Sequence, residues 1–292
     1  MPKTQTKSTA SKQRKPAKIK NKLNFTMMFE TLLTFGLAQI IGVLTAVAIL
    51  AQNQFTPVQL HVPWYYLIVS FFVVTSLIIL AIRFLKGGKF FIAVFYFVVV
   101  LGSYVVFSTF MDLEFALVAA LLILVFRLTI KQIWIHNLAI VLGLAGISAS
   151  VGMDIKPLGI IILLIGLSIY DYIAVYRTKT MVKMFKGLLA RGVIFSIIIP
   201  EHIKNWAVDL GKVKKTENFM FLGTGDIALP IIFAASALST DLKAAFGVVI
   251  GAMVGVILIH VFFRLQKKKA AMPALPPIAF CSIIGYLITL YL

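Results

Sequence analysis

Residues 219–230 read FMFLGTGDIALP. Asp226 stands in this apolar run with no lysine or arginine in it to neutralise the carboxyl group. What the run means depends on its solvent. The chain has 292 residues, is 61% hydrophobic and has a mean hydropathy of +1.01, far above the balance of a soluble domain. Apolar stretches recur from residue 25 to the end of the chain. The composition is that of a polytopic membrane protein, so the Asp226 run lies in a bilayer.

Working outward from that run, nine stretches are long enough to be read as crossings: about 27–51, 64–84, 90–111, 115–130, 134–153, 157–177, 219–240, 244–265 and 271–292. Each is close to the roughly 20 residues that span the hydrocarbon layer. The fourth is short, and Arg127 near its end can snorkel to the interface. The runs lack the alternating polarity of a barrel strand, so helices are expected. The fold class is therefore an all-α polytopic membrane protein with nine transmembrane helices. The charges give its orientation. Of 28 Lys and Arg, all but Lys156 and Lys243 fall on the side of the N-terminal tail or at the span ends facing it. Asp112, Glu114, Asp154 and Asp241 fall on the other side. The positive-inside rule then puts the N-terminus in the cytoplasm and the C-terminus outside it.

This divides the chain into a basic, disordered cytoplasmic tail at 1–26, spans one to six at 27–177, a cytoplasmic loop at 178–218, and spans seven to nine at 219–292. The net charge of +18 is thus mainly a topology signal. The tail is expected to lie on anionic lipid headgroups. No aromatic residues interleave with its charges, which argues against nucleic acid as a partner. The tail is also too long and polar for a secretory signal. Within the loop, residues 187–200, GLLARGVIFSIIIP, are too few to span and read as an amphipathic or re-entrant piece on the inner face.

Two of the ten acids lie clearly within spans, Asp171 in LSIYDYIAVYR and Asp226. (Glu30, near the start of the first span, can reach the interface.) An intramembrane carboxyl is costly and marks a functional site by default. A buried ion pair would need a base at that level, and Arg177 is about 9 Å further along its helix. Counted from Arg177, Asp171 is about 9 Å inside the boundary; counted from Phe219, Asp226 is about 10 Å inside it. Two carboxyls on consecutive antiparallel helices thus reach one depth, where they can share a proton. One ionised and one protonated carboxyl is the working state of an aspartic protease. Gly223 and Gly225 leave room for another chain, and Pro230 removes the helical hydrogen bond to the Asp226 carbonyl. The last span opens AMPALPPIAF, with Pro273 to Pro276 roughly 6–10 Å past Lys269 if helical. Its three prolines predict a stiff, extended turn at the same depth.

Other chemistries fit less well. Cys281 is the sole cysteine, so neither an internal disulfide nor a cysteine metal cluster can form. His61, His136, His202 and His260 are scattered and none begins HExxH, so no metal site is expected. Ser148 is followed by Ala149 in a stretch that reads as helix packing rather than as a serine nucleophile. The rival from another class is a proton- or cation-coupled transporter or channel using the intramembrane aspartates.

Tyr170-Asp171, then Gly223-Thr224-Gly225-Asp226, then Pro273-Ala274-Leu275-Pro276 together resemble the YD, GxGD and PALP signature of the presenilin and signal-peptide-peptidase family of intramembrane aspartyl proteases. The resemblance covers about residues 25–292. It implies that Asp171 and Asp226 are the catalytic pair, that Tyr170, Gly223 and Gly225 shape the site, and that Pro273, Ala274, Leu275 and Pro276 pack against the dyad and help place substrate. Thr224 stands where presenilins carry leucine, a position linked to substrate preference. The implied substrates are single-span or other transmembrane-helix proteins, cut without metal or organic cofactor. The inferred orientation resembles presenilin rather than signal peptide peptidase. The long acidic loops of eukaryotic presenilins are missing, so a compact homologue in a prokaryotic cell membrane is expected. A homo-oligomer is compatible with the sequence.

Overall fold

The computed structural model describes residues 25–52, 89–190, 194–213, 219–266 and 272–291, together with Val69, Val73 and Ser76. The expected second span lies outside the described residues except for those three, as does nearly all of the tail.

The described chain is helical with one small sheet. Its elements are α1 (Phe25–Ala51), α2 (Lys89–Ser108), α3 (Leu113–Thr129), α4 (Ile133–Met153), α5 (Pro157–Tyr176), α6 (Thr180–Ala190), β1 (Ser196–Pro200), a 3-10 turn (Ile203–Ala207), α7 (Leu210–Val213), β2 (Phe219–Gly223), α8 (Thr224–Ala237), α9 (Leu242–Leu265) and α10 (Leu275–Tyr291). Among them α1, α2, α4, α5 and α9 are long and apolar enough to cross a membrane. The molecule is an integral multi-pass membrane protein.

α4 is the hub. It is apolar all round and packs on α1, α2 and α8, as a helix without a polar face must. α9 and α10 form the most extensive helix pair among the described residues. There Gly247, Gly251 and Gly255 of α9 meet α10 where any added Cβ would strike its backbone or the Thr289 side chain. Small residues let membrane helices approach this closely, and dispersion then holds them.

The structure departs from the sequence reading at the seventh span. Residues 219–223 are not helix. They form β2, antiparallel to β1, with Ser196 opposite Gly223 and Pro200 opposite Phe219. The 187–200 piece expected on the inner face thus ends in a strand buried at all five residues. Ile197 and Ile199 join the central core with Phe35, Val99, Ile140 and Ile231, while Ile198 joins Ile133 and Leu210 below it. That division is the two-residue alternation of a strand. The backbone of such a segment must be hydrogen-bonded before it can enter an apolar interior, and its pairing with β2 supplies this. α8 alone is about 21 Å long, too short to cross; five strand residues add about 17 Å.

Two charged residues expected near the interface have partners within the protein. Glu30 is buried, with Trp206 and His202 of the 178–218 segment as neighbours. Arg127 Nε donates to His136 Nδ1 at 3.2 Å, and its guanidinium lies 5.7 Å from the centre of the Phe95 ring. That segment is also less of a free loop than its position suggests. Leu210 N donates to the Lys131 carbonyl at 2.8 Å, and Ile133 N to the Val208 carbonyl at 3.3 Å, tying it to the start of α4.

Candidate active site

The GxGD stretch has a local explanation. β2 ends at Gly223, which is the N-cap of α8, so Asp226 is the third residue of the helix. An acid there can reach back to the exposed N–H groups of the first turn. The Asp226 carboxyl does so and accepts from the Gly223 backbone N–H. A Cβ at Gly223 would lie 2.9 Å from Asp226 Oδ2, so the bend excludes any larger residue unless the carboxyl moves. Gly225 differs. It is exposed, and a Cβ there would meet nothing within 4 Å. The chain's own packing does not require its small size.

Asp171 projects from α5 and is buried, as is Asp226. The two carboxyls are near enough for each charge to act on the other. The third motif meets Asp171. Met272 to Ala274 are irregular, and α10 begins at Leu275. Pro276 and Pro277 therefore occupy the first helical turn, where a missing N–H does no harm. The extended stretch is shorter than the three prolines suggest. Between Pro273 and Pro276, the Leu275 N–H donates to Asp171 Oδ2 at 3.3 Å. Pro273 and Leu275 are buried, Ala274 and Pro276 half-buried. Tyr170 precedes Asp171 on α5, and Thr224 opens α8; both are half-buried. Among the described residues, no group of three or more His, Cys, Asp or Glu could hold a metal ion.

The family model for signal-peptide peptidase, presenilin aspartyl protease, matches residues 32–292. The chain belongs to this family. The protein is an intramembrane aspartyl protease. Two solved structures of a presenilin family intramembrane aspartate protease share its fold. The one in space group C222 covers 89% of this chain and 95% of its own, with 20% identity and a TM-score of 0.58. The one in P2 covers 89% and 96%, with 20% identity and a TM-score of 0.61. The search of curated proteins found no match.

The protease also carries polar residues near its site that a search for acids passed over. Gln39 of α1 is fully buried, and its Nε2 donates to the Ile227 carbonyl at 3.1 Å, one residue beyond Asp226. Its Oε1 has no partner among the described residues. On α4, Asn137 and His136 bond to β1. Their signal in the sequence was available: each is a polar side chain inside an apolar span, where hydrogen-bonding capacity must be met within the protein.

Proposed function

We propose that Asp171 and Asp226 are the catalytic pair and that the protease hydrolyses peptide bonds within the membrane-spanning helices of other proteins. The observation that carries this reading is the meeting of the two buried carboxyls, with the Leu275 N–H on one and the Gly223 N–H on the other. The pair holds one proton. The ionised carboxyl takes a proton from water as the water oxygen attacks the peptide carbonyl carbon. The protonated carboxyl gives its proton to the carbonyl oxygen. The tetrahedral intermediate then collapses: the C–N bond breaks, the amine leaves with a proton from the protonated carboxyl, and the ionised carboxyl takes a hydroxyl proton from the intermediate, so the pair again holds one proton. Pro273, Ala274, Leu275 and Pro276 orient Asp171. Tyr170 and Thr224 line the pocket, and Gly225 leaves space for substrate.

A helical substrate must unwind before its carbonyl can be attacked, and its freed backbone groups then need partners. β2 leads directly into the Asp226 turn and offers them, by strand addition. The reading includes nine crossings, a cytoplasmic N-terminus, an extracytoplasmic C-terminus and a prokaryotic cell membrane, supported by the distribution of Lys and Arg. The test is incubation of the purified protein with a single-span substrate. Peptide products are expected from the native protein and none from Asp226→Asn. Substantial cleavage by a folded Asp226→Asn protein would remove the mechanism.

A further inference from the structure

The two edges of the β1–β2 sheet differ. In an antiparallel pair, one residue's N–H and C=O point to the same side, and successive residues alternate. Asn137 of α4 engages both groups of Ile198. Its Nδ2 donates to the Ile198 carbonyl at 2.7 Å, and its Oδ1 accepts from the Ile198 N–H at 3.0 Å. Ile198 therefore points away from β2, and so do Ser196 and Pro200. A separate contact agrees. His136 accepts from Arg127 at Nδ1, so Nε2 carries the ring proton, and it donates to the Ser196 carbonyl at 3.2 Å. Pro200 has no N–H to leave unmet. The side-chain amide of Asn137 thus stands in for a third strand, and the outer edge of β1 is closed.

The same alternation turns Met220 and Leu222 toward β1 and turns Phe219, Phe221 and Gly223 outward. The Gly223 N–H is held by the Asp226 carboxyl, which leaves Phe221 as the complete outward pair nearest the aspartate. Burial follows the same division: β1 is buried throughout, whereas four of the five β2 residues are only half-buried. Among the described residues nothing hydrogen-bonds to the outward groups of Phe221, so a strand can be added on that side alone.

We infer that Asn137 is a positioning residue that fixes the sheet against α4 and thereby determines which peptide bond of the substrate reaches the aspartates. The inference rests on strand addition at β2 under the proposed function. Asn137 touches neither substrate nor the carboxyls. It acts through β1, whose ladder holds β2, whose free edge sets the substrate's register. Two short hydrogen bonds from a residue buried in a rigid helix give the sheet one position. Without them β1 can shift, and β2 with it.

The experiment compares native protein, Asn137→Leu and Asn137→Asp on one single-span substrate, with product termini read by mass spectrometry. Asn137→Leu removes donor and acceptor; Asn137→Asp keeps the shape and the acceptor but loses the donor. The expected result for Asn137→Leu is cleavage spread over neighbouring peptide bonds and kcat/KM lower by about fivefold to tenfold, with Asn137→Asp between it and the native protein. A compact hydroxyl-containing transition-state mimic that reaches only the two carboxyls should bind all three alike. Native cleavage positions in Asn137→Leu would overturn the inference, and so would a fall in rate with unchanged positions. If neither variant folds, Asn137 is a folding residue and the positioning role is overturned. Cleavage by folded Asp171→Asn and Asp226→Asn proteins would instead sink the catalytic reading beneath it.

Discussion

A carboxyl at 226 and its partner at 171 act, on the proposed mechanism, as one unit. Their single Asn variants should therefore each abolish cleavage, and the double variant should lose no more than either. Activity needs one proton on the pair. At low pH both carboxyls are protonated and no base remains; at high pH both are ionised and no acid remains. The pH–rate profile should be bell-shaped, with limits that belong to the pair. Asn removes a charge that is costly in the membrane, so these variants should keep or raise their thermal stability. Cleavage assays across pH, with melting measured in parallel, check all three points. The two glycines of the motif separate two kinds of requirement. Gly223→Ala puts a methyl 2.9 Å from Asp226 Oδ2. It should lower kcat about tenfold or more, since a misplacement of about 1 Å can cost roughly 100-fold. Gly225→Ala meets open space and replaces glycine in a helix. It should fold with equal or higher stability and lose activity through KM, because the added methyl occupies substrate space. Equal effects of the two on kcat would show that neither explanation holds.

Among the elements, the turn into α10 touches the site without carrying nucleophile or proton. Its irregular backbone ends at Ala274, and the Leu275 N–H then meets Asp171. Pro273→Ala loosens the approach to that N–H, and Leu275→Ala removes a buried side chain from the cluster it shares with Ile160, Leu164 and Phe233. Both should impair cleavage more than folding. Rate and melting temperature of each variant decide it, and matched losses of both would make the turn a structural element only. β1 and β2 show why element type was misjudged at 219–223. FMFLG is apolar with no period, and such a run is as compatible with a buried strand as with a helix. Its β-branched partner, SIIIP at 196–200, had the composition of a strand. The expectation of membrane helices throughout hid it. Backbone inside a membrane protein must be hydrogen-bonded or face protein or a wet cavity, and Asn137 and His136, which close the outer edge of β1, stand some sixty residues earlier in the chain.

At the scale of the molecule, the basic tail is expected to be separable from the site. The family match begins at residue 32, and residues 1–22 carry eight Lys and Arg with few apolar side chains to bury. Deleting them should leave activity in detergent nearly unchanged, measured as cleavage by a truncated protein of native melting temperature. Loss of most activity in such a protein would give the tail a catalytic role.

The multi-pass nature of the chain, its family and the two acids within apolar runs were legible in the sequence. They follow from composition, charge placement and short motifs, which are local properties. The level of Asp226 was inferred through a helix that begins only at Thr224. The covalent path from Gly223 to Asp226 is short, so the position of Asp226 relative to β2 does not depend on the residues before it being helical. Only the tertiary structure decided that 196–200 and 219–223 pair, that Arg127 bonds to His136, and that Gln39 and Asn137 hold the backbone beside the site. Each depends on groups far apart in the chain. Hydrogen-bond demand can be read from a polar residue in an apolar span, but its partner is chosen by which helices pack together, and that choice is a property of the whole core.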